Sequence, residues 1–447
     1  MPTTVSHLSG SIVVAAGIFL TMPSEAASSL SSRYSVPWTR HTITAVSIGA
    51  DGVDLRDING DGLADVTTAW EEGGVVTVSL HPPAGIDPRD PWPTTIVASN
   101  VRGVEDAKFA DIDGDGRVDV VSASDGGKKI YIHFNDSLPE TPSWTTVTIG
   151  SSLGHNRWMQ VSSADIDGDG NLDIVAGSRV GTAENPAVIA WFRNPGSDLV
   201  RDGSAWTYNE MTKAGWTMSV ISIDADGDGD PDTVISDRAS YREPDNSVSW
   251  SLYGARWIET VRHDNAPPTF VNHPIEIAGS CKTCTPGDEM FATVFDFDGD
   301  GVPDIIDGTS SSNRPNRVAI HLNLGAWGPP VTWSNDFVPA PIGTGHYQAV
   351  AAGDIDGDGL IDLVVSTWEA NSLPPSPLTG VYWERNLGNG LWEQEELSGP
   401  AGTKYDNVVL YDVDGDGDMD VIDTEQVENQ GVIWFENPGF APAIPVP

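Results

Sequence analysis

The sequence predicts an all-β fold, a closed ring of seven four-stranded blades, and three observations predict it. A nine-residue Asp/Gly segment occurs seven times in register, its copies begin 54, 54, 59, 72, 58 and 58 residues apart, and each interval holds the same succession of short strand-like stretches. Self-similarity at such a period marks an array in which each unit is one supersecondary element. Four short strands per unit, with no helical periodicity between them, describe a propeller blade.

At the start of the chain, Ser11–Met22 form an apolar run too short to span a bilayer, followed by the small residues of Ser24-Glu25-Ala26. Residues 1–26 therefore read as an export signal, although no Lys or Arg precedes the run; a buried first strand is the alternative. Residues 27–447 read as a single propeller domain, secreted and without a later segment apolar enough to span a membrane. Within each unit an apolar strand precedes the Asp/Gly segment, as in Met159–Ala164, and a β-branched one follows it, as in Asp119–Ser122. A third ends in a Trp-Phe-x-Asn-Pro-Gly type of motif, clearest in Val188–Gly196 and Val432–Gly439. The fourth follows a Trp: Trp144, Trp206, Trp257, Trp333 and Trp392. The last unit lacks a fourth strand, and Val36–Ile43 (VPWTRHTI) matches what is missing. Pairing the first strand with the last blade would close the ring and leave no exposed sheet edge.

The Asp/Gly segments place carboxylates at positions one, three, five and nine and a backbone carbonyl at seven. The candidate ligands are Asp57, Asn59, Asp61, Leu63 and Asp65; Asp111, Asp113, Asp115, Arg117 and Asp119; Asp165, Asp167, Asp169, Asn171 and Asp173; and Asp224, Asp226, Asp228, Asp230 and Asp232. The remaining three sets are Asp296, Asp298, Asp300, Val302 and Asp304; Asp354, Asp356, Asp358, Leu360 and Asp362; and Asp412, Asp414, Asp416, Asp418 and Asp420. Six to eight oxygens in a flexible shell suit Ca2+ better than Mg2+, which demands a stricter octahedron. Position twelve never carries the Glu of an EF-hand, and a strand follows instead of a helix. A single such segment could be a solvated turn; seven in register argue for up to seven calcium ions. The four carboxylate positions hold 27 of the 65 acidic residues, three in the first loop and four in each other loop. Crowding them would be self-repulsive without cations, and seven calcium ions would carry the formal charge from −42 to −28. The first loop, with Asn59, should bind most weakly. The acidity argues against nucleic-acid partners and anionic membrane surfaces.

On these residues the chain resembles the FG-GAP or VCBS repeat family, to which the propellers of integrin α-subunits belong. The resemblance implies calcium loops between the first and second strands on one face of the disc. The start of each first strand and the loops between second and third strands then lie on the other face, around the central channel. Six to ten residues before each loop, the collar there would hold Glu105, Trp158, Trp216, Asp288 and Glu289 as ligand-binding residues. His155, Arg157, His346, Tyr347, Lys404 and Tyr405 are candidates for binding or catalysis. Long segments at Ser178–Pro186, Asp237–Asn246, Arg262–Met290, Thr309–Asn316 and Trp368–Thr379 belong to the same face, as expected of a binding surface.

Cys281 and Cys284 are the only cysteines and read as a local disulfide; zinc held with His263 and His273 is the alternative. No nucleophile-elbow, metalloprotease or phosphate-loop motif is present. Asn135-Asp136-Ser137 is a glycosylation sequon. The leading expectation is an extracellular recognition module for glycan or protein, as some fungal lectins of similar fold are. The alternative is a carbohydrate-active enzyme, a polysaccharide lyase or sugar dehydratase, with His155 or His346 as base, Tyr347 or Tyr405 as acid, and Arg157 or Lys404 as anion stabiliser. A third reading is a matrix protein whose only ligand is calcium.

Overall fold

The computed structural model describes residues 37–137, 143–155, 157–179, 187–238, 254–275, 290–309, 317–324, 333–339, 346–368, 380–399 and 401–439. The export signal, Cys281, Cys284, Asp288, Glu289 and most of the long segments named above lie outside them. Among the described residues the strands form seven four-stranded antiparallel sheets, with one 3-10 turn as the sole helical element, and no helix is long and apolar enough to cross a membrane.

Each blade runs outward from a first strand at the axis. In blade three the strands are Arg157–Ala164, Asp173–Arg179, Val188–Arg193 and Thr207–Lys213. The other first strands are Ala50–Arg56, Val104–Ala110, Thr217–Ile223, Thr293–Phe295, His346–Gly353 and Tyr405–Tyr411. In blade seven the outer strand is Thr39–Thr44, antiparallel to Gly431–Glu436, with Thr39 opposite Glu436 and Thr42 opposite Ile433.

The Trp of the third strand explains one departure from the sequence reading. Trp191, Trp383 and Trp434 sit opposite Val175, Val364 and Ile422, each two residues after the last Asp of its loop. Trp257 sits opposite Val234, the same position, so Arg256–His263 is the third strand of blade four and not the fourth. The fourth is Ala266–Pro274, which takes up much of what reads in sequence as a loop insertion. Trp recurs at both places in the blade because both face the space between neighbouring sheets, where a large apolar side chain fills the wedge.

The Asn-Pro-Gly ending has an equally local cause. Asn194 donates its amide to Leu172 O in its own blade and to Ile112 O in the preceding one, at 2.9 and 3.1 Å, while its Oδ1 accepts from Gly196 N. Asn437 repeats this with Met419 O and Ile355 O. Asn135 buries its amide against Val118 O, so the sequon does not present an accessible acceptor.

Apolar side chains gather into seven clusters, one in each gap between neighbouring blades. Near the axis hydrogen bonds cross every junction: Phe109 N to Asp54, Val161 N to Asp106, Ser222 N to Ser162, Ala292 N to Ser219, Phe291 N to Gln348 O, Gln348 to Asp406, and Thr424 to Asp51 O.

Candidate functional site

The seven loops fold alike. The glycines at positions four and six take φ of 70–77° and 86–100°, which only residues without Cβ adopt readily. The carboxylate at position one accepts from the position-six N–H at 2.8–3.1 Å in every loop. The position-nine carboxylate is buried, accepting from the position-two N–H and from a backbone N–H at the end of the third strand, as Asp173 does from Ile166 and Asn194. Burial raises Asp65 to about 6 and Asp119, Asp173, Asp232, Asp362 and Asp420 to about 7.

This donor set fits a hard cation. Carboxylate oxygens of Asp111, Asp113 and Asp115 lie within 4.8 Å of one another, as do those of Asp165, Asp167 and Asp173 and those of Asp224, Asp226 and Asp232. Buried oxygens of Asp167, Asp296, Asp354 and Asp412 make no hydrogen bond, although the chain has folded other donors around them. An all-oxygen set with orphaned acceptors suits calcium, which the position-one, -three, -five and -nine residues would hold. Arginines share some of the charge: Arg201, Arg193, Arg385 and Arg89 reach the position-three carboxylates Asp113, Asp167, Asp356 and Asp414. In the first loop the Asn59 amide donates to Asp61 at 3.1 Å, taking up an oxygen a cation would use.

The opposite end of the first strands builds a second site. In six blades the first strand bulges six residues before the loop, and the extra residue turns toward the axis: Asp51, Glu105, Met159, Met218, Gln348 and Asp406. Fourteen residues after the first, third, fourth and sixth loops begin, where the second strand ends, stand Glu71, Arg179, Arg238 and Trp368. With Gln160, Trp216, Phe291 and Lys404 these line a cavity of about 230 Å³ on the axis, to which all seven blades contribute.

The cavity is polarised. Blades seven, one and two supply Asp406, Asp51, Glu71 and Glu105; blades three, four and six supply Arg179, Arg238, Trp216 and Trp368. The Arg179 and Arg238 guanidiniums lie 4.9 and 5.0 Å from the Trp216 ring centre, and Arg238 lies 5.8 Å from that of Trp368. Arg179 also pairs with Asp125 at 2.9 Å, to which Arg157 is bound as well. Among the described residues no carboxylate pairs with Arg238. On the acidic side, burial and then the Asp406 carboxylate push Asp51 well above the usual range, and burial followed by Asp51 does the same to Glu105. Lys404 bonds Asp406 at 2.9 Å and also reaches Gln426. Burial disfavours its charge, but Asp406 and Asp51 outweigh that and hold the ammonium above the usual lysine value.

Of the residues read from sequence, Glu105, Trp216 and Lys404 line this cavity. Trp158, Tyr347, Tyr405, His155, Arg157 and His346 do not, and for the first three strand alternation is the reason. Trp158, Tyr347 and Tyr405 stand seven residues before their loops, one away from the bulged position, and point into the core between blades. Trp158 donates to Ser152 O, Tyr347 to Phe291 O and Tyr405 to Ala401 O. His155 stacks on Tyr208 at 3.9 Å, away from the axis, and His346 stands 6.0 Å from Trp368 at the rim. His263 and His273 cannot share a zinc ion. His273 is level with Trp257 and His263 with Ala266, six residues further along the hairpin, or about 20 Å. The signal missed in the sequence is a pair of fixed offsets, six before and fourteen after each loop start, which together pick out Asp51, Gln348, Asp406, Glu71, Arg179, Arg238 and Trp368.

The family model described as FG-GAP-like repeat matches residues 111–176 and 296–365, each span holding two of the Asp/Gly loops. No curated protein matches the chain. Among solved structures, a chain from the crystal structure of BBS1N in complex with ARL6DN, soaked with mercury, is similar with TM-score 0.50 and 10% identity, over 91% of this chain and 98% of that one. The exotype rhamnogalacturonan lyase YesX is similar with TM-score 0.44 and 14% identity, over 91% of this chain and 73% of that one, too slight a likeness to bear on function. The loops, the four-stranded blades and the two family matches together identify the chain as a seven-bladed β-propeller carrying FG-GAP-like repeats.

Proposed function

We propose that the protein is an extracellular, calcium-stiffened propeller that recognises carbohydrate at the axial cavity, on the face opposite the loops. The observation that carries this reading is the polarised cavity itself. Trp216 and Trp368 alternate with Arg179 and Arg238 on one arc, and carboxylates and Gln348 occupy the other. Aromatic rings give a sugar apolar C–H faces to rest on, while convergent charged donors and acceptors bind its hydroxyl and carboxylate groups. A volume of about 230 Å³ suits the end of a glycan chain, and the arginines favour an acidic sugar. Recognition is better supported than acid–base catalysis because the candidate acids Tyr347 and Tyr405 have their hydroxyls bound to backbone carbonyls in the core.

A glycan array in calcium-containing buffer tests this, comparing the wild type with Trp216→Ala and Arg238→Ala. The expected result is binding to acidic glycans that falls at least tenfold in both variants. No binding to any glycan, or equal binding by all three proteins, would overturn the reading.

A further inference from the structure

Three carboxylates converge in the cavity wall. Asp51 sits on the first-strand bulge of blade one, Glu71 on the turn after the second strand of that blade, and Glu105 on the first-strand bulge of blade two. One oxygen from each lies within 4.8 Å of the other two. Two oxygens bound to one calcium ion stand at most about 5 Å apart, so a single ion can touch all three.

Glu105 supplies an independent sign of a missing partner. It is only 6% exposed, it lines the cavity, its Oε1 is buried without a hydrogen bond, and the side chain it meets, Asp125, is another carboxylate. Leaving such an acceptor unpaired is unfavourable, and more so if it is charged. Two cations of the cavity wall are already engaged, Lys404 with Asp406 and Gln426 and Arg179 with Asp125. Glu71 spends one oxygen on Gln426 Nε2 at 2.6 Å and keeps the other.

We propose that Asp51, Glu71 and Glu105 form a cation site separate from the seven loops, taking one calcium ion between blades one and two in the wall of the axial cavity. The donors are all oxygen, which selects a hard cation over zinc or copper. Three carboxylates leave part of the shell open toward the cavity, where water or a hydroxyl of a bound ligand completes it. The site depends neither on what the cavity binds nor on the loops being occupied.

Counting bound calcium tests it. The full chain is stripped with chelator, dialysed to equilibrium against calcium, and assayed for metal per chain, as wild type, as the Asp51→Asn/Glu105→Gln double variant and as Glu71→Gln. Both variants are expected to hold one ion fewer than the wild type, whether the wild type holds eight or, with empty loops, one. Equal counts in all three proteins would overturn the proposal while leaving the loop assignment standing. Glu71 is half-buried on a turn, so Glu71→Gln carries the test if the double variant fails to fold.

Discussion

At the scale of single residues, the molecule concentrates buried charge where partners are fixed. Asp237 and Arg256 are both fully buried and paired at 2.9 Å; Asp237 also accepts from Gly215 N and Thr217, and Arg256 donates to Lys213 O and Asn272. Paired and further hydrogen-bonded in this way, the two ions are tolerable together, but either member alone is not. Asp237→Ala should destabilise the fold by about 3–5 kcal/mol in urea unfolding, and an effect below about 1 kcal/mol would contradict this account. Glu384 behaves in the opposite way. Burial alone pushes its carboxyl up to about 8, from 4.5. The folded protein therefore holds a proton the unfolded chain has released across that window, and stability falls as pH rises through it. Glu384→Gln should gain about 4 kcal/mol at pH 8 and nothing at pH 4, which urea melts at the two pH values would read.

At the scale of elements, the Asn-Pro-Gly turn links one Asp/Gly loop to the next. Asn194→Ala removes two bonds to carbonyls of adjacent blades and should cost about 1–3 kcal/mol, with weaker calcium binding at the loops beginning at Asp111 and Asp165; calorimetric titration of calcium measures the latter. Much of this level is legible in the sequence, because Asp/Gly loops and Trp-containing strands recur at fixed offsets. Side-chain direction is harder to read. A bulge inserts one residue into a strand without altering its composition, so nothing in Tyr347-Gln348 or Tyr405-Asp406 says which of the two faces the axis. Blade one shows this: Asp51 lines the cavity, although it directly follows the small residues Gly49 and Ala50. Trp257 misleads differently, since both outer strands of a blade use Trp, and pairing with Val234 rather than identity distinguishes them.

At the scale of the whole molecule, two faces divide the work. The loops crowd acidic side chains that repel one another unless cations intervene, so each occupied site at a hundredfold excess of calcium over its Kd should add about 2.7 kcal/mol. Chelation is accordingly expected to lower the thermal unfolding midpoint, and an unchanged midpoint would argue against loop occupancy. Because Thr39–Thr44 supplies the outer strand of blade seven, a chain beginning at Ala45 should expose the edge of Gly431–Glu436, lose stability and associate with increasing concentration in light scattering. The other face is where recognition is assigned, and hydrogen exchange distinguishes the two faces directly. With a bound acidic glycan, amides near Asp51, Glu105, Met159, Met218, Gln348 and Asp406 should slow while those of the Asp/Gly loops stay unchanged. Protection confined to the loops, with none at the first-strand bulges, would contradict the assignment of binding to the axial cavity.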